Sequence, residues 1–306
     1  MSERSNFPTD LYIAEGLCKE HGGTLTLLEA DELQAALASE SAQDMAVLLL
    51  THVNYRTGAM HDMAALTAAA HQAGVLTVWD LAHSAGALPV DLKAAGADFA
   101  VGCGYKYLNG GPGAPAFVWV HPQHAERFWQ PLAGWWGHAA PFAFTPDYKP
   151  APGIGRYLCG TQPILSLAAL ACGLDTFSAA EPLGGMVALR QKSLALSDLF
   201  IELVAQRCAG QGLTLVTPLD HAQRGSQVCL ARAEGAYAIM QAMIARGVIG
   251  DFRAGDGGRH PDILRFGLTP LYTGFADVWQ AVEHLRQVLA SCEWQRPEFN
   301  RQQAVT

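Results

Sequence analysis

Residues 78–86 read Val78-Trp79-Asp80-Leu81-Ala82-His83-Ser84-Ala85-Gly86, and residues 102–110 read Gly102-Cys103-Gly104-Tyr105-Lys106-Tyr107-Leu108-Asn109-Gly110. Each opens at the end of a short run of β-forming residues, 75–79 and 99–102, and passes into polar and glycine-rich residues, as a buried strand does where it ends. Helical stretches precede both. Asp62 caps one that closes at Gly74, and Asp91 opens a short one ahead of residue 99. This alternation predicts an α/β protein with a parallel or mostly parallel sheet. In such sheets ligands bind at the carboxyl ends of the strands, which is where Asp80 and Lys106 both fall.

Upstream, Thr9 or Asp10 can cap a helix carrying Leu11, Ile13 and Leu17 that ends at Gly22-Gly23, followed by a strand at 24–28, a short helix from Asp31 and an apolar run at 45–50. Downstream, Asn109-Gly110-Gly111-Pro112-Gly113 is a turn, 116–120 is a strand, and the alternation then stops. Residues 121–160 are rich in Pro, Gly, Trp and Tyr without periodicity, which reads as a functional excursion. One long helical region is expected from Pro163 to about Arg207. Strands at 213–216, 227–232 and 263–266 and helices at 236–246 and 275–289 follow. The expected division is a large domain, 1–174, and a smaller C-terminal α+β domain, 175–306.

Composition excludes several functions. Of 306 residues half are apolar and 16% charged, below the ~25% usual for globular proteins, so part of the surface is expected to be covered by another subunit. The net charge of −8 and the lack of any basic run argue against a nucleic-acid partner. The opening Met1-Ser2-Glu3-Arg4 has no apolar core of a signal peptide, and no apolar stretch is read as reaching the ~18 residues of a membrane span, so a cytoplasmic protein without a membrane partner is expected. Seven scattered cysteines without a CxxC pair predict buried free thiols and no metal site. There is no HExxH, GxSxG, P-loop or complete dinucleotide fingerprint.

An Asp at one strand end and a Lys after the next suit a pyridoxal phosphate enzyme, in which the amine holds the aldehyde as a Schiff base and the carboxylate keeps the pyridine nitrogen protonated. Taken alone the pair is weak, since Asp80 could cap a helix, His83 could be a partnered core residue and Lys106 a solvated loop amine.

The flanking residues strengthen it. Ser5-Asn6-Phe7-Pro8-Thr9-Asp10, Leu50-Thr51-His52-Val53-Asn54-Tyr55, Trp79 to Gly86, Tyr105 to Gly113, Gly134-Trp135-Trp136-Gly137-His138, Tyr157-Leu158-Cys159-Gly160-Thr161-Gln162-Pro163 and Arg265-Phe266-Gly267 together resemble the kynureninases, bacterial type. These are pyridoxal phosphate enzymes of the aspartate-aminotransferase-like fold type I. The resemblance runs through almost the whole chain. It implies a hydrolase acting on a carbon–carbon bond of a ketonic substrate, L-kynurenine, in tryptophan breakdown and NAD biosynthesis, working as a homodimer with a shared active site.

By that resemblance Lys106 carries the cofactor, Asp80 pairs with its ring nitrogen and Phe7 packs on its face. Pro8, Thr9 and Asp10 belong to the same cofactor-binding segment, Thr51 lies below the ring and His83 beside it. Tyr105 bonds the phosphate and relays protons, and Trp135 and Thr161 complete the pocket across the dimer interface. Arg265 grips the substrate carboxylate, which would satisfy a strand-end arginine that is costly to bury unpaired. Trp136 and Thr161 border the aryl group and favour L-kynurenine over its 3-hydroxy form, because animal-type members carry asparagine at the threonine position. Plainer roles stand beside these: Phe7 and Trp135 could be core aromatics, and Thr161 a helix cap.

The family has a further segment ahead of Ser5 that cups the phosphate, so an N-terminally incomplete chain is expected. A catalytically impaired homologue is the first alternative. A cysteine desulfurase or aminotransferase on the same fold is the second, and the Trp-rich 134–138 segment argues against it.

Overall fold

The computed structural model describes residues 1–301, so the last five residues of the expected C-terminal domain lie outside the described part. Two compact units are present. The first comprises Met1–His52, Asp62–Ala82 and Val90–Asp175; the second comprises Val53–His61, His83–Pro89 and the chain from Thr176 onward.

The first unit is built on a six-stranded sheet of order β2-β1-β3-β4-β5-β6, made of Ser2–Glu3 (β1), Leu27–Leu28 (β2), Val47–Thr51 (β3), Leu76–Asp80 (β4), Phe99–Cys103 (β5) and Ala116–Val120 (β6). All neighbours are parallel except β5 and β6. Register aligns Thr51 with Asp80 and Asp80 with Val101, so the carboxyl ends of β3, β4 and β5 form one edge. Leu48, Leu50, Trp79 and Ala100 are buried in the middle of this sheet.

Helix α1 spans Pro8–His21. Its N-cap is Phe7, two residues before Thr9 and three before Asp10, with no side-chain cap, because Pro8 has the fixed φ and missing N–H that suit a first helical position. Thr9 and Asp10 therefore sit inside the first turn. Asp62 does cap α3, Met63–Gln72, accepting from the Ala65 N–H, whereas Asp91 closes only a single turn by accepting from the Ala94 N–H. The short helix after Asp31 is α2, Leu33–Leu37.

The expected single helix from 163 to 207 is two, α4 (Ile164–Ala180) and α5 (Gly185–Arg207). Pro182 lies in a short 3-10 turn between them, and Gly184 and Gly185 take φ of +104° and +56°, a left-handed break that ends α-helical hydrogen bonding. Helix α4 and the following turn, Ile164–Leu183, are by length and composition apolar enough to cross a membrane, with mean hydropathy 1.4. That corrects the expectation that no stretch reaches such a length. The segment holds no unbroken apolar run, since Ser166 and Asp175 interrupt it, but its many Ala and Leu residues raise the mean. Ser166, Leu170, Gly173, Phe177 and Ala180 are its less exposed positions, and their spacing of three and four makes one helical stripe.

The second unit has a four-stranded antiparallel sheet of order β7-β8-β10-β9, from Thr214–Leu215 (β7), Gln227–Ala231 (β8), Asp251–Arg253 (β9) and Ile263–Gly267 (β10). Helices α5, α6 (Ala236–Ala245) and α7 (Phe275–Ala290) supply its core. Val278, Val282, Leu285 and Leu289 recur at helical spacing on α7 and meet Leu196, Phe200, Ile239, Met243, Leu264 and Phe266. Strand β9 was not legible in the sequence.

Candidate active site

Asp80 ends β4 and is 7% exposed. Its Oδ1 accepts the backbone N–H of Ala82 at 2.8 Å, and its Oδ2 accepts the hydroxyl of Thr51 at 3.2 Å, so the cross-strand register that pairs these two residues also orients the carboxylate. The Trp79 indole, pointing to the other face, donates to Thr67 of α3 at 3.0 Å and anchors the strand.

Lys106 lies in the loop after β5. Glycines let that loop close tightly: Gly104 donates to the Pro115 carbonyl at 3.0 Å and accepts from Gly110 at 2.9 Å. A Cβ on Gly104 would stand 2.7 Å from the Pro115 oxygen, and one on Gly173 of α4 would stand 2.7 Å from the carbonyl oxygens of Leu108 and Asn109. Helix α4 thus backs the lysine loop at backbone contact distance. The Lys106 ammonium lies 5.9 Å from the centroid of the Phe7 ring and 5.5 Å from that of Tyr105.

The first turn of α1 brings Asp10 to the same place. Burial, the charge of Asp80 and, in the opposite sense, the charge of Lys106 push the Asp10 carboxyl up to about 6. Burial likewise pushes Asp80 up, against the pull of the Ala82 N–H, Lys106 and Thr51. The Oδ2 of Asp10 is buried and meets no hydrogen-bond donor among the described residues. Two acids held together beside one ammonium, with a buried carboxyl oxygen left without a donor among the described residues, call for a further cationic N–H group. A protonated pyridine nitrogen is such a group, and Lys106 and the flat ring of Phe7 match an aldehyde and an aromatic face. The residues present fit pyridoxal phosphate.

Phe7, Asp10, Thr51, Asp80, Tyr105 and Lys106 are therefore gathered in the first unit, with Pro8 and Thr9 beside them in the first turn of α1. Trp135 and Trp136 form an aromatic cluster with Phe142 and Phe144, their own rings edge to face at 4.6 Å, and Thr161 is exposed. His83 is buried in the second unit. Arg265, on β10 of that unit, donates to the Tyr55 carbonyl at 2.9 Å and to Asp251. The sequence reading missed Gly173 as the support of the lysine loop and Asp251 as the partner of Arg265. Only the second left a local signal, an acidic residue two before Arg253 in an otherwise apolar and basic run.

Comparison with known proteins bears on the family and the fold. Residues 189–285 match the family model of the kynureninase C-terminal domain. The kynureninase of Pseudomonas fluorescens is 57% identical over 308 aligned residues, which take in all of this chain and 71% of that relative. Among solved structures, the apo cysteine desulfurase of Thermococcus onnurineus NA1 superposes with a TM-score of 0.76 at 19% identity, covering 95% of this chain and 72% of that one. A C-DES variant with glycine covalently linked to its pyridoxal phosphate cofactor does so with 0.76 at 18%, covering 94% and 73%. The structural likenesses establish the fold, that of fold type I pyridoxal phosphate enzymes, and the identity along the entire sequence establishes more: this chain belongs to the kynureninase family.

Proposed function

We propose that this chain hydrolyses the Cβ–Cγ bond of L-kynurenine, with one water consumed, to give anthranilate and L-alanine. The observation that carries the reading is the Lys106 ammonium set beside the buried carboxyl of Asp80 and the half-buried carboxyl of Asp10. Phe7, Pro8, Thr9, Asp10, Thr51, Asp80, His83, Tyr105 and Lys106 hold the cofactor, joined by Trp135 and Thr161 from the second protomer of a cytoplasmic homodimer. When bound, pyridoxal phosphate supplies an electron-accepting pyridinium ring conjugated with the substrate nitrogen.

The chain's own groups manage protons and position. The Asp80 carboxylate holds the proton on the ring nitrogen, with Thr51 fixing its orientation. Lys106 Nζ, as the neutral amine, takes the proton from the substrate α-carbon. The Tyr105 hydroxyl passes protons between solvent and substrate. Arg265 receives the α-carboxylate, and Trp136 and Thr161 flank the aryl ring, with the threonine hydroxyl a poorer anchor than an amide for a 3-hydroxy group.

The test is to load the chain with pyridoxal phosphate, reduce with borohydride and map the labelled peptide, while following anthranilate fluorescence with L-kynurenine. Label concentrated at Lys106 and anthranilate release, both lost in Lys106→Ala, are expected. Label spread over surface lysines would overturn the site. Label at Lys106 with alanine released from cysteine and none from kynurenine would favour a desulfurase.

A further inference from the structure

Strand β10 carries Arg265 directly opposite Asp251 of β9. The Arg265 side chain is only 13% exposed, and a guanidinium that far out of water keeps one orientation when its donors are met. Nη1 donates to the Tyr55 carbonyl at 2.9 Å and Nη2 to Oδ2 of Asp251. Among the described residues these two bonds leave three of the five N–H donors of the guanidinium available to another carboxylate.

The same Asp251 oxygen forms an ion pair with Nη2 of Arg253 at 2.5 Å. Arg253 is two residues further along β9, hence on the same face, and its guanidinium lies 5.9 Å from the centroid of the Tyr55 ring. One carboxylate therefore serves two guanidiniums, and the group of three carries a surplus positive charge that a second carboxylate would balance. Asp251 approaches along the sheet from the neighbouring strand, where cross-strand pairing sets its position. It can hold Arg265 in place without using up the donors that a ligand needs.

We propose that Asp251 is the positioning residue for recognition of the substrate α-carboxylate. Holding Nη2 while the Tyr55 carbonyl holds Nη1, it sets the plane of the Arg265 guanidinium, so that the remaining donors meet the carboxylate without reorganisation. This rests on the reading of Arg265 as the partner of that carboxylate.

A double-mutant cycle separates the two ideas, with KM and kcat for L-kynurenine measured on the holoenzyme for wild type, Asp251→Asn, Arg265→Gln and the double variant. Asp251→Asn keeps the side-chain shape and removes the charge; KM is expected to rise about tenfold with kcat changed far less. The double variant is expected to match Arg265→Gln alone, since a residue acting through Arg265 has nothing left to orient. Asp251→Glu keeps the charge but moves the oxygens by one methylene, and is expected to raise KM in the same direction to a smaller extent, which keeps the test usable if the Asn variant does not fold. An unmoved KM in the Asp251 variants, additive effects in the cycle, or a fall in kcat and melting temperature alone would overturn the role of Asp251 while leaving Arg265 in place. An unmoved KM in Arg265→Gln would overturn the reading of Arg265 itself.

Discussion

Asp10 and Asp80 are acids that the fold keeps from ionising freely, and the cost depends on pH in a definite direction. The Asp10 carboxyl titrates at about 6 in the folded chain against 3.8 in its ordinary state. Between those values the folded chain holds a proton that the unfolded chain has released, so the contribution of this group to stability is full below 3.8 and is lost as pH rises through 6. Asp10→Asn removes the titration. Urea unfolding of the cofactor-free chain at a series of pH values is expected to show wild type losing stability relative to Asp10→Asn across that window, and remaining the less stable of the two at neutral pH. Parallel curves would show that Asp10 is not held near Asp80. Loading with pyridoxal phosphate is expected to reverse the order, because the cationic ring nitrogen then accompanies both carboxylates.

At the scale of elements, the lysine loop owes its shape to a helix that follows it by some sixty residues. Gly173 is the buried position of α4, and the backbone of Leu108 and Asn109 occupies the space a side chain would need. Gly173→Ala must push backbone aside rather than a flexible side chain, which costs about 1–3 kcal/mol. Calorimetry is expected to show the lower melting temperature, and borohydride trapping a reduced label at Lys106. A variant with both unchanged would mean that α4 does not set the loop. Element boundaries were legible where a local rule governs them, as with Asp62 at the start of α3. They were misread where two local rules compete, as at Phe7-Pro8-Thr9-Asp10, and where pairing decides, as in β9, three residues that form a strand only because β10 lies beside them.

For the whole molecule, exposed apolar surface is the salient property. On α4, Leu165 is 88% exposed and Ile164 63%, and Trp129, Phe142 and Phe144 are each more than 65% exposed in the aromatic excursion. Surface of this kind is covered in a working protein. The homodimer proposed for this chain would cover it, so Leu165→Glu is expected to shift the sedimentation of the chain toward monomer at micromolar concentration, while melting of the second unit is unaffected. A wild type that already sediments as a monomer, and stays soluble, would refute the dimer.

The mostly parallel α/β sheet, the lysine loop and the carboxylate at the end of β4 could be read from sequence because they are set locally, by apolar runs, caps and glycines within a few residues of one another. The combined motifs also identified the family. What the tertiary structure alone decided are relations between distant segments: the register of Thr51 with Asp80, the arrival of Asp10 beside them, the contact of Gly173 with the lysine loop, and the opposition of Asp251 and Arg265 across two strands. None of these has a sequence period, because each depends on which surfaces pack together, and burial in that packing is what shifts the carboxyl groups and orders the guanidinium.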